Sequence, residues 1–386
     1  MTEQSAASSL HYLTPAQQAR IARLDDTDPH NVNKKLSFRP TDVYVSQERF
    51  NLEINKLFRG RPVPITVSGA LPHPKSHVVI RDYKVPVLLT RDAQGVVRAF
   101  VNVCTHRAVE LCQAREVSGG SLITCPYHAW SFGLDGALVA LPRAEVFPGL
   151  DKSKLGLIEF ESAEAGGLIW VNLDHKAKAD FSLIKGTLAD ELSAIALPEQ
   201  KLWKHARFEL NSNWKLTHDA FLENYHIARL HSNSLGRMFT DRTTVCEQIG
   251  PHICHMSGRV GFKAGERSTF EAFREFGVFC YTLLPGAIII TSQDYISVML
   301  LSPQATDRTV INYYLLVDKL PETEAETAHY ERSLKLMLRI TTEEDFWAAE
   351  LGTIGAATGA VQQMVLGGME QEIVRFHEII EAELNK

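Results

Sequence analysis

Two short loops, each with one cysteine and one histidine, constrain this 386-residue chain more than any other feature. The first loop holds Cys104 and His106, the second holds Cys125 and His128, and 18 residues separate His106 from Cys125. Each loop offers one thiolate and one imidazole, and together they supply the four ligands that a metal group commonly takes from a protein. The chain therefore has to bring the two loops together around one metal group.

The alternation of cysteine and histidine favours a 2Fe–2S cluster of the Rieske type. In that type, two neutral imidazoles replace two thiolates on one iron, which raises the reduction potential of the cluster. A structural zinc ion with two cysteines and two histidines is the alternative, because ligand spacing alone does not exclude it. Zinc sites more often pair cysteine with cysteine and histidine with histidine. A cluster that passes single electrons implies a second centre that receives them.

Composition predicts an ordinary globular protein with two or three domains. Hydrophobic residues make up 45% and charged residues 22% of the sequence, and the formal net charge is -6. Because there is no basic stripe, nucleic acid is not an expected partner. The most apolar stretch, residues 278–301, contains Pro285 and several polar residues, so no membrane span is predicted. The polar N-terminus does not resemble a secretory signal, and six cysteines without a disulfide framework favour the cytoplasm.

The sequence predicts three consecutive parts of an α+β protein: an N-terminal arm or set of short helices over residues 1–45, a β domain over 46–180, and a mixed domain over 181–386. Short strands separated by turn signals indicate a small antiparallel β domain, and both cysteine–histidine loops lie inside it. In the last part, apolar periodicity predicts an antiparallel sheet with helices packed on it. One of these helices is predicted over about 214–230 and the final one over about 368–384.

Acids and histidines in the last part can supply the second centre. Asp219, Glu223 and His226 recur at i, i+4 and i+7, a spacing that places them on one face of the predicted helix. His231 follows His226 by five residues, about 140° away on a regular helix. If both imidazoles bind one metal, the helix must end or bulge between them.

Two histidines and one carboxylate with open positions form the facial triad by which non-haem Fe(II) handles O₂. The carboxylate has to come from elsewhere in the chain, and Asp345 is our choice. Its neighbour Glu344 is the rival ligand. Acids at this position also have a simpler explanation, because they interact favourably with the dipole at the start of a helix.

Together these motifs resemble the α subunit of the Rieske non-haem iron oxygenases, the aromatic ring-hydroxylating family. The resemblance extends from about Tyr44 to Leu384 and rests on the two loops together with Asn213-Trp214-Lys215, Glu223-Asn224-Tyr225-His226, His231 and Glu344-Asp345. It implies a Rieske β domain followed by a helix-grip (START-like) catalytic domain. It also implies the ligands: Cys104 and Cys125 on one cluster iron, His106 and His128 on the other, and His226, His231 and Asp345 on a mononuclear Fe(II).

Glu223 matches the bridging carboxylate of the family, which hydrogen-bonds a cluster histidine of one subunit and an iron-ligand histidine of the next. The resemblance implies such a bridge from His128 to His226 across a subunit boundary, in a ring-shaped homotrimer that a β subunit can accompany. Asp219, one turn earlier, is either an acid that supports the iron site or an ordinary helix acid, with nothing to choose between them.

The sequence departs from the family pattern at three of these positions. Ala108 and Ala129 stand where the family has glycine after the loop histidines. Glu223 stands where the family more often has aspartate, and glutamate there is similar to the branch that oxidises quaternary ammonium compounds. Both alanines are small, so we expect the loops to keep their conformation.

The resemblance implies a terminal oxygenase component that hydroxylates an aromatic or related small organic substrate, in a setting such as aromatic hydrocarbon catabolism. It would use O₂ and electrons from NAD(P)H, delivered by a separate ferredoxin or reductase. One alternative is a Rieske monooxygenase that oxidises or dealkylates a quaternary ammonium compound or an N- or O-methyl compound. A more distant one is a non-catalytic electron carrier, in which the second site would have no purpose. An aromatic acid as substrate would need an arginine, and Arg237, Arg242 and Arg259 are candidates without ranking.

Overall fold

The computed structural model describes residues 10–25, 34–113, 117–263, 265 and 267–386. The strands are β1 (Ser37–Pro40), β2 (Pro62–Val67), β3 (Ser76–Ile80), β4 (Val87–Arg91), β5 (Val97–Val101), β6 (Ser118–Gly119), β7 (Leu122–Thr124), β8 (Ser131–Gly133), β9 (Leu138–Ala140), β10 (Glu159–Phe160), β11 (Ser162–Ala165), β12 (Leu168–Asn172), β13 (Lys201–Leu210), β14 (Phe239–Ile249), β15 (His252–Arg259), β16 (Gly277–Leu283), β17 (Ala287–Thr291), β18 (Tyr295–Ala305), β19 (Arg308–Val317) and β20 (Gln363–Leu366).

The α-helices are α1 (Pro15–Asp25), α2 (Asp42–Val45), α3 (Gln47–Glu53), α4 (Ser182–Lys185), α5 (Thr187–Ala194), α6 (Trp214–Asp219), α7 (Ile227–Leu230), α8 (Phe270–Arg274), α9 (Glu324–Ile340), α10 (Phe346–Ala357) and α11 (Gln371–Leu384). Two segments are π-helical, Ile54–Arg59 and Thr341–Asp345. Within the described ranges, no helix is both long and apolar enough to cross a membrane.

Small antiparallel sheets build the first half of the chain. A five-stranded sheet has the order β10-β5-β4-β3-β6, and three-stranded sheets have the orders β11-β12-β2 and β7-β8-β9. The first cysteine–histidine loop follows β5, and the second connects β7 to β8. Leu88, Phe100 and Phe132 form a common core with the buried Cys104 and Cys125. The strands therefore fix the positions of both loops.

A seven-stranded antiparallel sheet forms the second half, in the order β13-β19-β18-β17-β16-β15-β14. Strands β14 to β19 pair with their sequence neighbours, as successive hairpins do, and β13 pairs with β19. Helix α11 buries Ile373, Phe376 and Ile380, and the Phe376 ring meets the Trp214 indole edge to face at 6.2 Å. The predicted α+β architecture, an antiparallel β domain followed by a mixed domain with an antiparallel sheet and helices packed on it, is confirmed.

The N-terminal residues pack on the second half of the chain. Helix α1 contacts β14 and β15, and Arg20 forms a buried ion pair with Glu191 at 2.5 Å. Strand β1 pairs with β20 near the C-terminus. The boundaries predicted at residues 45 and 180 stay predictions, but residues 10–25 do not project as a separate arm.

The single helix predicted over 214–230 is wrong. Helix α6 ends at Asp219, turns follow, and α7 begins at Ile227. The cause is local, because the Glu223 carboxylate accepts hydrogen bonds from the backbone N–H groups of Tyr225 and His226. Such side-chain bonds compete with the helical pattern. Asp219, Glu223 and His226 therefore do not share one helix face.

Candidate metal centres

Two loops of the same backbone conformation carry the first group of ligands. The N–H of Cys104 donates to the carbonyl of Val109, and the N–H of Cys125 donates to that of Trp130, both at 2.8 Å. In each loop the N–H four residues after the cysteine donates back to the cysteine carbonyl, at 2.9 and 3.0 Å. The two loops thus share one backbone closure around their cysteines, although His106 follows its cysteine by two residues and His128 by three.

The residue that closes each loop is strained. Ala108 and Ala129 both have a φ of 56°, in the left-handed region that favours glycine. A residue with a Cβ atom costs about 1–2 kcal/mol more there than in its preferred conformations. With alanine at the two positions, both loops close with the same backbone hydrogen bonds.

The side chains of the loops fit the predicted cluster. Cys104 and Cys125 are buried free thiols, and burial and the Cys125 thiol raise the pKa of Cys104. The His106 and His128 rings lie 4.8 Å apart, and the His106 ring stacks on the Trp130 indole at 4.5 Å. The buried Nδ1 of His128 has no hydrogen-bond partner among the described residues. Two buried thiols beside an imidazole nitrogen without a partner suit a metal group that binds both.

His226, His231 and Asp345 converge at a second point. The Nε2 atoms of His226 and His231 lie 3.6 and 3.1 Å from Oδ1 of Asp345, and one ligand atom from each residue lies within 4.8 Å of the others. Oδ1 of Asp345 is buried and has no hydrogen bond within the described part of the chain. A buried carboxylate oxygen is costly without a partner, so the group is suited to a metal with two imidazole ligands and one carboxylate ligand.

Two glutamates hold the imidazoles in this orientation. Nδ1 of His226 lies 2.5 Å from Oε1 of Glu223, and Nδ1 of His231 lies 2.5 Å from Oε2 of Glu344. The Ser234 hydroxyl donates to the same Glu344 oxygen at 2.7 Å. A carboxylate on Nδ1 fixes the tautomer that leaves Nε2 free for a metal. Glu344, the rival ligand, is therefore occupied with His231, and Asp345 presents the free oxygen.

The charge around His231 also favours a cation. Burial lowers the pKa of His231, but the negative charge of Asp345 and Glu344 and the hydrogen bond to Glu344 outweigh it and raise the pKa above its ordinary value. A metal ion has to replace the proton that these acids attract. The two acids and two imidazoles around this point therefore favour the binding of a cation.

Asp345 reaches the histidines from the end of a π-helical segment, Thr341–Asp345, between α9 and α10. A π-helical turn contains an extra residue relative to an α-helix and is frequent at functional sites. The extra residue lets Glu344 and Asp345, which are adjacent in sequence, both contact His231. The helical periodicity gave no sign of this segment.

Asp219 lies in a different network from the three converging residues. Its carboxylate accepts a hydrogen bond from the Tyr44 hydroxyl at 2.7 Å and lies 3.2 Å from Nε2 of His377. Within the described ranges, no hydrogen bond joins Asp219 to His226, His231 or Asp345. Its predicted support of the iron site stays a prediction without a contact behind it.

A cavity of about 410 Å³ opens beside the second centre. His226, His231 and Asp345 lie in its wall. Apolar side chains form much of the remaining wall, among them Phe221, Leu235, Met238, Ile290, Met299, Tyr295 and Leu336. The cavity is large enough for a small organic molecule, and much of its wall is apolar.

Two families match the two halves of the chain. Residues 61–151 match the Rieske [2Fe-2S] domain, and residues 199–385 match the ring hydroxylating alpha subunit (catalytic domain). The chain belongs to the Rieske oxygenase family. The loops with the cysteine–histidine pairs lie in the first matched region, and the three converging residues lie in the second.

The relatives of this chain include enzymes whose names state a substrate. It is 29% identical over 236 residues to the chloroplastic choline monooxygenase of Spinacia oleracea, a match that covers 60% of this chain and 53% of that protein. It is 32% identical over 206 residues to the carnitine monooxygenase oxygenase subunit of Escherichia coli (strain K12), covering 53% and 54%. The chain therefore spans about half the length of the curated relatives it matches.

The whole fold also has a known counterpart. The crystal structure of the quaternary ammonium Rieske monooxygenase CntA with L-carnitine superimposes with a TM-score of 0.76 at 20% identity, over 96% of this chain and 99% of that chain. At this identity the comparison establishes the fold. It agrees with the arrangement of a Rieske domain before a catalytic domain.

Proposed function

We propose that the protein is the terminal oxygenase component of a multicomponent system. It uses O₂ and electrons from NAD(P)H, delivered by a separate ferredoxin or reductase, to oxidise a small organic molecule. One observation carries the proposal: the free, buried Oδ1 of Asp345 faces Nε2 of two histidines at the wall of a largely apolar cavity, in a chain that also has both cysteine–histidine loops.

The donor sets support the ligands that the family resemblance implies. Cys104 and Cys125 would bind one iron of the 2Fe–2S cluster, His106 and His128 would bind the other, and His226, His231 and Asp345 would hold the mononuclear Fe(II). When bound, the cluster supplies electrons one at a time and the mononuclear iron supplies the activation of O₂. Glu223 and Glu344 orient the two imidazoles, and the apolar cavity wall positions the substrate and excludes water.

We infer a ring of identical subunits, a homotrimer, in which Glu223 joins His226 to His128 of the partner subunit. Two observations support it. Glu223 has no hydrogen bond to the His128 of its own chain within the described residues, and its bond to His226 leaves it at the second centre. On α10, Trp347, Leu351 and Ile354 form an apolar stripe at i, i+4 and i+7 that is 51%, 47% and 63% exposed in the single chain.

Complementation of two inactive variants tests electron transfer between subunits. Cys104→Ser removes a cluster ligand, and His226→Ala removes a ligand of the mononuclear iron. Mixed oligomers prepared by co-expression should regain part of the activity, because one subunit supplies the cluster and the next supplies the iron. Mixed oligomers that stay inactive would refute transfer between subunits.

Oxidation of a quaternary ammonium compound is the second candidate function. Two similarities support it over ring hydroxylation: Glu223 stands at the bridging position, and choline and carnitine monooxygenases are among the relatives. Aromatic faces, which attract quaternary ammonium groups, are present in the cavity wall at Phe221, Tyr295 and Tyr313.

We place the protein in the cytoplasm, since all six cysteines are free thiols.

Substitution of one histidine tests the proposed function directly. The wild type, with a generic reductase and a substrate panel, should couple O₂ uptake to a product of higher oxidation state. His226→Ala should keep the visible and EPR spectra of the cluster but lose the coupled uptake. Unchanged turnover in His226→Ala would exclude this residue as an iron ligand.

A further inference from the structure

Arg259 is a cation inside the cavity that holds the second centre. Strand β15 contributes His255, Ser257 and Arg259 to the cavity wall. These alternate residues point to one face of the sheet, as the period of two in a strand requires. The cavity is otherwise rich in apolar side chains, so a guanidinium in its wall needs an explanation.

Among the described residues, no acid forms a hydrogen bond or a close ion pair with the guanidinium of Arg259. Its Nε is buried without a hydrogen bond, and burial lowers its pKa. Asp294 lies close enough to act on it electrostatically, but the Asp294 carboxylate bonds the His329 imidazole instead. The Phe239 ring lies 5.3 Å below the guanidinium and helps to hold it in place.

A partly buried charge without a counter-ion is costly, and a ligand of opposite charge removes that cost. A guanidinium binds a carboxylate with two parallel hydrogen bonds, a geometry that lysine cannot supply. We propose that Arg259 binds the carboxylate of the substrate, so that the substrate is an organic acid. The inference rests on the proposed function and narrows it to one substrate class.

The structure also separates the three arginines that the sequence left equal. Arg237 is exposed and is not part of the cavity wall. The side chain of Arg242 lies outside the described residues. Arg259 alone among the two described candidates faces the cavity, so the acid-binding role falls to it.

Arg259 lies farther along β15 than the residue next to the metal-ligating group. His255, four residues earlier on the strand, interacts electrostatically with Glu223 and His226. At about 3.3 Å per residue, the Cα atoms of residues 255 and 259 are about 13 Å apart. The backbone position of Arg259 is therefore separate from the second centre, although both contribute to one cavity wall.

Paired probes that differ only in charge test the inference. Each pair consists of an acid and its amide: 4-methoxybenzoate with 4-methoxybenzamide, and γ-butyrobetaine with its carboxamide. Binding is measured by calorimetry on the enzyme with both metal groups, under anaerobic conditions, so that the result does not depend on turnover. Arg259→Met and Arg259→Lys are compared with the wild type, and Arg237→Met serves as the matched loss of one arginine outside the cavity.

We expect at least one acid to bind the wild type ten- to a hundredfold more tightly than its amide, about the range of a charge-assisted hydrogen bond. Arg259→Met should reduce that ratio to near one, Arg259→Lys should retain part of it, and Arg237→Met should leave it unchanged. The inference is overturned if no acid binds better than its amide, or if Arg259→Met preserves the ratio. If the wild type shows no O₂ uptake coupled to a product, the proposed function is contradicted instead. The two failures are therefore distinguishable.

Discussion

Glu344 is the residue for which the structure changes the expected role most clearly. Its Oε2 lies 2.5 Å from Nδ1 of His231 and also accepts the Ser234 hydroxyl. We predict that Glu344→Gln weakens, but does not abolish, the binding of the mononuclear metal. The amide can still accept the imidazole N–H, but it loses the negative charge that makes the imidazole a stronger ligand.

The size of the effect follows from the kind of hydrogen bond that is lost. A charge-assisted bond contributes about 1.5–3 kcal/mol and a neutral one about 0.5–1.5 kcal/mol. The difference of about 1–1.5 kcal/mol corresponds to about a tenfold weaker metal affinity. Glu344→Ala removes the bond altogether and leaves Ser234 without its acceptor. The metal affinity of this variant should therefore fall by up to about a hundredfold, the upper end of the range for such supporting residues.

Anaerobic titration of the apo site with Co(II) against a chelator measures this affinity, while the visible spectrum reports the cluster separately. Glu343→Gln is the matched control, because Glu343 is the exposed neighbour in the same segment. An affinity unchanged in both Glu344 variants would refute the orienting role. Complete loss of the metal in Glu344→Gln with retention in Asp345→Asn would show that Glu344 is the ligand.

Three further results are expected. Ala108→Gly and Ala129→Gly should each stabilise the cluster loops by about 0.5–1 kcal/mol in chemical unfolding followed by cluster absorbance, since glycine relieves the strain of a φ of 56°; a loss of stability would contradict the strain argument. Glu223→Gln should retain both metal groups but strongly slow cluster oxidation in single-turnover mixing with substrate and O₂, and a wild-type rate would exclude the bridge. Burial lowers the pKa of His218 and His252 to about 3 and that of His255 to about 4 from 6.5, so the unfolded chain binds more protons than the folded chain between these values and pH 6.5. Each of these histidines should make stability fall toward acid by up to about 1.4 kcal/mol per pH unit. Urea titrations of His252→Asn should show a slope shallower by about that amount, and an unchanged slope would contradict the burial argument.

The cluster loops could be predicted from the sequence because their information is local. Each loop has its cysteine and histidine within four residues, and the same short hydrogen-bond pattern closes both. The positive φ at Ala108 and Ala129 explains why glycine suits these positions in the family. The antiparallel sheet of the second half and α11 could also be predicted from the sequence, since their apolar periodicity extends over many residues.

The second centre depends on contacts that periodicity does not encode. The spacing of Asp219, Glu223 and His226 suggested one continuous helix, but Glu223 bonds the backbone of the residues after it and the helix ends. The π-helical turn before Asp345 likewise has no sequence signal. The choice of Arg259 among the candidate arginines required the folded structure. Only the fold distinguishes a guanidinium in the cavity wall from an exposed one.

The central claim is that one chain carries two separate iron groups, with Asp345 as a ligand of the second. Iron and acid-labile sulfide analysis of the wild type and of Asp345→Asn tests it most directly, with EPR of the reduced cluster as the control. We predict about three irons and two sulfides per wild-type chain, and about two irons and two sulfides in Asp345→Asn with an unchanged cluster signal. Equal iron content in the two proteins, or zinc in place of labile sulfide, would contradict the account.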